Sequence, residues 1–282
     1  MLDALLDTVV DSLKLLPFLF ITYVLMELLE NKAGEKTTKL VQKSGKFGPI
    51  IGGLLGVVPQ CGFSAAAASL YAGRVITLGT LIAIFLSTSD EMLPILISES
   101  APVGTIVTIL LIKLAIGIIC GVVIDLFLRR KHATQGEEAL HIHSICEDEH
   151  CHCEEEGILK SSIKHTLHIF VYIFIISLLI NVAIYFIGEE TIAHWMVNIP
   201  VVGNIIATLV GFIPNCASSV ILTQLYLEKV LPLGCLISGL LVNSGIGLLV
   251  LFRLNKPQKQ NWKIVCILFM IGLLSGTIID LL

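Results

Sequence analysis

The chain has 282 residues, 55% of them hydrophobic and 14% charged, with a formal net charge of −4. A mean hydropathy of +0.92 excludes an ordinary soluble domain, whose core cannot absorb so many apolar runs of spanning length. The weakly acidic balance provides no extended basic face, which excludes nucleic acid as a partner and leaves membrane lipid as the surroundings.

The first apolar segment, 13–29, holds one acid, Glu27, near its end; the polar stretch 30–46 follows with Lys32, Lys36, Lys39, Lys43 and Lys46. The first residues carry neither a charged leader nor a small-residue cleavage site, so no removable signal peptide is expected. Segment 47–72 is apolar around the break Val58-Pro59-Gln60-Cys61 and precedes Arg74. Segment 75–97 contains Ser87-Thr88-Ser89-Asp90-Glu91, and segment 103–128 contains Lys113 and ends at Arg129-Arg130-Lys131. After a polar linker come the apolar segments 167–187, 201–227 with Pro214-Asn215-Cys216, 230–252 and 264–282.

Pro59 and Pro214, Cys61 and Cys216, Ser64 and Ser219, and Tyr71 and Tyr226 are each 155 residues apart. The same offset relates Gly117 to Gly272, Gly121 to Gly276 and Asp125 to Asp280. The chain is a duplication: 1–130 is one repeat, 131–160 a linker, and 161–282 the second repeat.

Crossing a bilayer takes about 20 helical residues. The pieces flanking Pro59 have about a dozen each, roughly 18 Å, which fits a hairpin dipping to the midplane and also a single kinked span. Charge arbitrates. With hairpins, the lysine-rich loop, Arg129-Arg130-Lys131, Arg253, Lys256, Lys259 and Lys263 all fall on the cytoplasmic side, and Glu189-Glu190 falls outside. The expected fold is therefore an all-α integral membrane protein. Each half has three transmembrane helices plus one re-entrant helical hairpin, ten helices in all. An odd number of crossings inverts the second half, the plan of many secondary transporters. This places both termini outside the cytoplasmic membrane and the linker within the cytoplasm.

Each break ends one half-helix and begins another, presenting carbonyls that suit a cation and amide donors that suit an anion. Gln60 and Asn215 add side-chain amides, and Cys61 and Cys216 add soft thiol ligands. Ser64 and Ser219 lie one turn further on. The second constellation, Ser87, Ser89, Asp90 and Glu91, matches Asn243 and Ser244 in the other half, with the acids confined to the first. Carboxylates at this depth are expensive unless paired or hydrated. Lys113 is a coupling or ion-pair residue, pairing with Asp90 or Glu91, or else snorkelling to the interface. Asp125 and Asp280 end their segments and read as interfacial. The paired glycines at Gly117/Gly121 and Gly272/Gly276 suit helix packing within the chain or between two copies in a homodimer.

Of eight cysteines, Cys61, Cys120, Cys216, Cys235 and Cys266 lie in apolar segments, which is not a secreted disulfide framework. The remaining three join the linker histidines: His141, His143, Cys146, His150, Cys151, His152 and Cys153, set among acids. They supply the nitrogen and sulfur donors of a flexible metal-capture segment.

The Val-Pro-Gln-Cys-Gly-Phe-Ser and Ile-Pro-Asn-Cys-Ala-Ser-Ser pair, the Ser-Thr-Ser-Asp-Glu stretch and the His/Cys-rich linker together resemble the ten-helix heavy-metal exporters. These ArsP-like proteins are also labelled arsenic efflux proteins or manganese transporters. The resemblance runs over essentially the whole chain and implies a transporter, not an enzyme, exporting a toxic metal or metalloid with no resident cofactor. The residues leave the ion open. Manganese prefers the oxygens of Asp90, Glu91, Gln60, Asn215, Ser89 and the broken backbones. Trivalent arsenic or another soft species draws on Cys61 and Cys216 as thiolates, and zinc or cobalt suits the linker's nitrogen and sulfur donors.

Two other readings fit parts of the sequence. A membrane thiol–disulfide oxidoreductase would use Cys61 and Cys216 as its redox pair. An organic-anion transporter would use the hairpin N-termini at Ser64 and Ser219, although Lys113 is the sole basic residue within a central segment.

Overall fold

The structure is a computed structural model, and it describes residues 9, 16–17, 20–21, 23–24, 47–58, 61–89, 91–132, 158–187, 200–214 and 216–282. Within these residues the chain is helical. In the first half lie α1 (Gly48–Gly56), α2 (Cys61–Ala72), α3 (Leu78–Ser87), α4 (Met92–Ser98) and α5 (Val103–His132). Then come α6 (Ile158–Ile187), α7 (Pro200–Gly211), α8 (Cys216–Leu227), α9 (Leu233–Val242), α10 (Gly247–Leu254) and α11 (Gln258–Leu281). Helices α2 and α3 recur as α8 and α9 with both boundaries displaced by 155 residues.

Among the described residues, four apolar helical runs are long enough to cross a membrane: Leu78–Ser98, Val103–Leu128, Leu233–Leu254 and Gln258–Leu281. The first and third are broken near their middles, so that α3–α4 and α9–α10 each form one interrupted span. α3 and α9 are buried along their whole length, whereas α5 and α11 lie at the periphery with apolar side chains such as Leu111, Ile119, Leu274 and Ile278 exposed. In lipid these outward apolar faces are the expected state of a spanning helix.

Packing follows the duplication. α3 packs against α1 and α5, α9 against α7 and α11, and α3 also meets α9. Two contacts cross between halves in matched fashion: α2 lies on α10, and α8 lies on α4.

Small residues set these contacts. A side chain added at Gly121 would strike the Gly79 carbonyl and Ala83, and one at Gly276 would strike Ser238 and the Gly234 carbonyl. The glycine pairs therefore pack helices inside one chain, through close backbone approach. α1 runs alongside α3 in the same direction, since Gly48 lies at Thr80, Gly52 at Ile84 and Gly56 at Ser87.

The start of each buried helix is fixed by an aspartate. Asp125 Oδ1 accepts from the Gly79 N–H at 2.8 Å, and its Oδ2 from the Thr77 hydroxyl at 2.6 Å. Asp280 Oδ1 accepts from the Gly234 N–H at 2.8 Å, and its Oδ2 from Asn204 Nδ2 at 2.9 Å. A carboxylate here satisfies an orphan donor and opposes the positive end of the helix dipole. The expectation that both are simply interfacial is thereby sharpened: each reaches from the end of one helix to cap the start of another.

Candidate functional site

The polar centre forms where helices stop. α3 ends at Ser87 and Thr88, whose hydroxyls donate back to Ala83 O at 2.8 Å and Ile84 O at 2.7 Å, satisfying buried side-chain donors on the last turn of the helix itself. One residue on, Ser89 Oγ donates to Val57 O at 2.6 Å. That bond ties the break in α3–α4 to the chain just past α1, and Gly56 is pressed against Ser87 at the same level. In the second half, α7 ends at Gly211, which lies against Gly239 and Val242 at the end of α9.

Lys113 joins the two halves. It projects from the middle of α5, is 1% exposed, and its ammonium donates to Thr88 O at the end of α3 and to Leu240 O near the end of α9, the latter at 2.7 Å. The negative ends of two helix dipoles thus converge on one cation. Of the alternatives open for Lys113, snorkelling is excluded by these contacts; Glu91 is part-exposed just before α4, and Asp90 lies outside the described residues.

The break after α9 carries buried polar groups without hydrogen-bond partners among the described residues. Asn243 is 2% and Ser244 1% exposed. Asn243 Oδ1 accepts from the Gly245 N–H at 3.0 Å, but its Nδ2 and the Ser244 hydroxyl have no hydrogen-bond partner among the described residues. Gly245 turns the chain with a φ of 52°, the left-handed region glycine enters freely. Its counterpart 155 residues earlier is Asp90. Two buried polar groups left unpaired in a native fold are costly and point to a ligand or water that completes them.

Gly247, which opens α10, sits against Ser64 on α2 and the Phe85 ring on α3. The second break is therefore held against the first half's α2. Ser64 and Ser219 are both buried, and Cys61 and Cys216 are the first residues of α2 and α8. Gln60 and Asn215 lie outside the described residues, as do His141, His143, Cys146, His150, Cys151, His152 and Cys153. Of the predicted residues, the structure brings Ser87, Ser89 and Lys113 to one region, and it brings Ser64 close to the break that carries Asn243 and Ser244.

Sequence reading missed Leu240 and Val57 and, within the Ser87–Glu91 stretch, the role of Thr88 O; backbone oxygens leave no side-chain signature. It also missed Asn204, whose amide bridges Asp280 and the Ser238 hydroxyl at 2.9 Å each. A lone asparagine in an apolar segment, with Pro49 at the matching position of the other half, is not distinguishable from packing in one sequence. Cys120 and Cys266, free thiols, line a separate apolar groove between α5 and α11.

A family model described as "Putative, 10TM heavy-metal exporter" (ArsP_2) matches residues 1–181 and 141–257. The chain belongs to this heavy-metal exporter family. Neither the curated proteins nor the solved structures offer a match to it. For a heavy-metal exporter, the informative feature is that the matched region takes in both Pro-containing breaks, the linker and all the residues around Lys113.

Proposed function

We propose that the protein is a secondary transporter that exports a divalent ion or a heavy-metal or metalloid ion across the cytoplasmic membrane. The ion is held where two hairpin tips and two broken spans meet. The observation that carries this reading is the Lys113 bridge: one buried ammonium spans Thr88 O and Leu240 O, so both breaks lie at one depth beside unpaired Asn243 and Ser244 groups.

Helix directions support re-entrant hairpins in an inverted repeat. α1 follows α3 from Gly48 at Thr80 to Gly56 at Ser87. With 9 and 12 residues, α1 and α2 are roughly 13 and 18 Å long, too short for either to span alone. Only residues 73–77 join α2 to α3, so α2 returns to the level from which α1 departed. Gly247 meets Ser64 near the tip, while Gln260 Nε2 donates to Tyr71 Oη at 2.6 Å at the far end of α2. α9–α10 therefore travels toward the level that α3–α4 leaves.

The ligands fall into two sets. Asp90, Glu91, Gln60, Asn215 and Ser89 offer oxygen for manganese, and Cys61 and Cys216 offer sulfur for softer species. The cytoplasmic linker, with His141, His143, Cys146, His150, Cys151, His152 and Cys153, gathers metal before transport. No observation beyond the presence of Cys61 and Cys216 favours the oxidoreductase reading.

The test is thermal stabilisation of purified protein by Mn²⁺, Co²⁺, Zn²⁺ and arsenite. Asp90→Asn should abolish the response to hard cations, and Cys61→Ser/Cys216→Ser the response to soft ones. Native responses retained in every variant would reject these ligands.

A further inference from the structure

The turns that follow α2 and α8 are built alike. Arg74 and Lys229, 155 residues apart, both hold left-handed backbone with φ of 60°. Such a conformation is uncommon for a residue other than glycine. Each lies three residues after a tyrosine, Tyr71 or Tyr226, and shortly before the buried helix α3 or α9.

Their surroundings differ. At the first turn, Gln260 from the start of α11 donates to Tyr71 Oη at 2.6 Å, and Arg74 Nη2 donates to Gln260 Oε1 at 3.5 Å. The Arg74 guanidinium also lies 5.6 Å from the centroid of the Tyr71 ring, within cation–π range. A residue of each half is thus bridged across the junction. The counterpart of Gln260 is Thr105, near the start of α5. Thr105, Tyr226 and Lys229 instead line a cavity of about 470 Å³ with Leu231 and Pro232. Among the described residues no side-chain hydrogen bond joins those three, and a threonine is too short to replace the glutamine bridge.

The same junction is therefore tied shut in one copy and hollow in the other. We infer that Tyr71, Arg74 and Gln260 form a closed gate on the cytoplasmic face, while Tyr226, Lys229 and Thr105 line the open outer vestibule of an outward-facing state. This rests on the inverted-repeat reading above, which puts the two junctions on opposite faces. Closing the outer junction and opening the inner one exchanges the conformations of the two halves, and the ion passes from one side to the other.

Full-length protein carrying Thr105→Cys is alkylated with a membrane-impermeant maleimide in right-side-out vesicles, the native chain giving the background. Tyr71→Phe and Gln260→Ala, tested separately, remove the inner bridge. Each should lower the ratio of outer-position to inner-position labelling about fivefold, the weight of one hydrogen bond in the equilibrium between the two states. A Ser69→Cys reporter beside the inner gate should label faster in inside-out vesicles. Unchanged rates, or a rise at both reporters together, would overturn the gate. The labelling needs no metal. Reciprocal labelling without metal uptake would reject the transport reading alone, and metal uptake without reciprocity would reject the gate alone.

Discussion

Lys113 donates a hydrogen bond to the carbonyl oxygen of Leu240, 127 residues further along the chain, at 2.7 Å. Its second bond, to Thr88 O, makes one ammonium the shared terminus of α3 and α9. A buried lysine is tolerated in a membrane when backbone oxygens and helix dipoles replace its hydration. Here that solvation also sets the relative depth of the two breaks.

Lys113→Met leaves both carbonyls buried without this donor. Each unsatisfied group costs about 1–3 kcal/mol, so the variant should lose about 2–6 kcal/mol of unfolding free energy. Denaturant or thermal unfolding in detergent checks this, and native stability would contradict the bridge.

The two aspartate caps should behave as a matched pair. Asp125→Ala frees the Gly79 N–H and Asp280→Ala the Gly234 N–H. Each should cost about 1–3 kcal/mol. Because the two caps hold the starts of different helices, α3 and α9, the double variant should lose the sum within about 0.5 kcal/mol. Equilibrium unfolding of the two single variants and the double variant measures it.

Glycines should divide by the space around them. Gly121→Ala, Gly276→Ala and Gly247→Ala each drive a methyl into neighbouring backbone or side chains, which should cost about 1–3 kcal/mol apiece. Gly104 has open space around it, and Gly104→Ala should instead stabilise α5 by about 0.5–1 kcal/mol. A thermal-shift series across the four variants separates the two classes.

Much of this architecture is legible in the sequence because the duplication repeats its least ordinary residues. Proline beside an amide and a thiol cannot be explained by packing twice at one offset, and the Ser87–Glu91 break announces itself against apolar neighbours. What stayed hidden depends on partners far apart in the chain. Gln260 and Tyr71 are 189 residues apart, and Lys113 binds backbone oxygens that any residue type would supply. Asp125 and Asp280 could be placed near helix ends from their positions, but the N–H group each one caps lies 46 residues earlier.

The most direct test lies with Asn243 and Ser244. The double variant Asn243→Ala/Ser244→Ala gives up one hydrogen bond, from the Gly245 N–H to Asn243 Oδ1, while its other lost groups are unpartnered among the described residues. It should therefore lose only about 0.5–1.5 kcal/mol and remain folded. Accumulation of Mn²⁺, Co²⁺, Zn²⁺ and arsenite is measured in sealed inside-out vesicles, with and without a proton gradient. The native protein is predicted to accumulate at least one of them and the stable double variant at least tenfold less. Equal accumulation by both proteins, or none by the native protein, would contradict a metal site at the meeting point of the two broken spans.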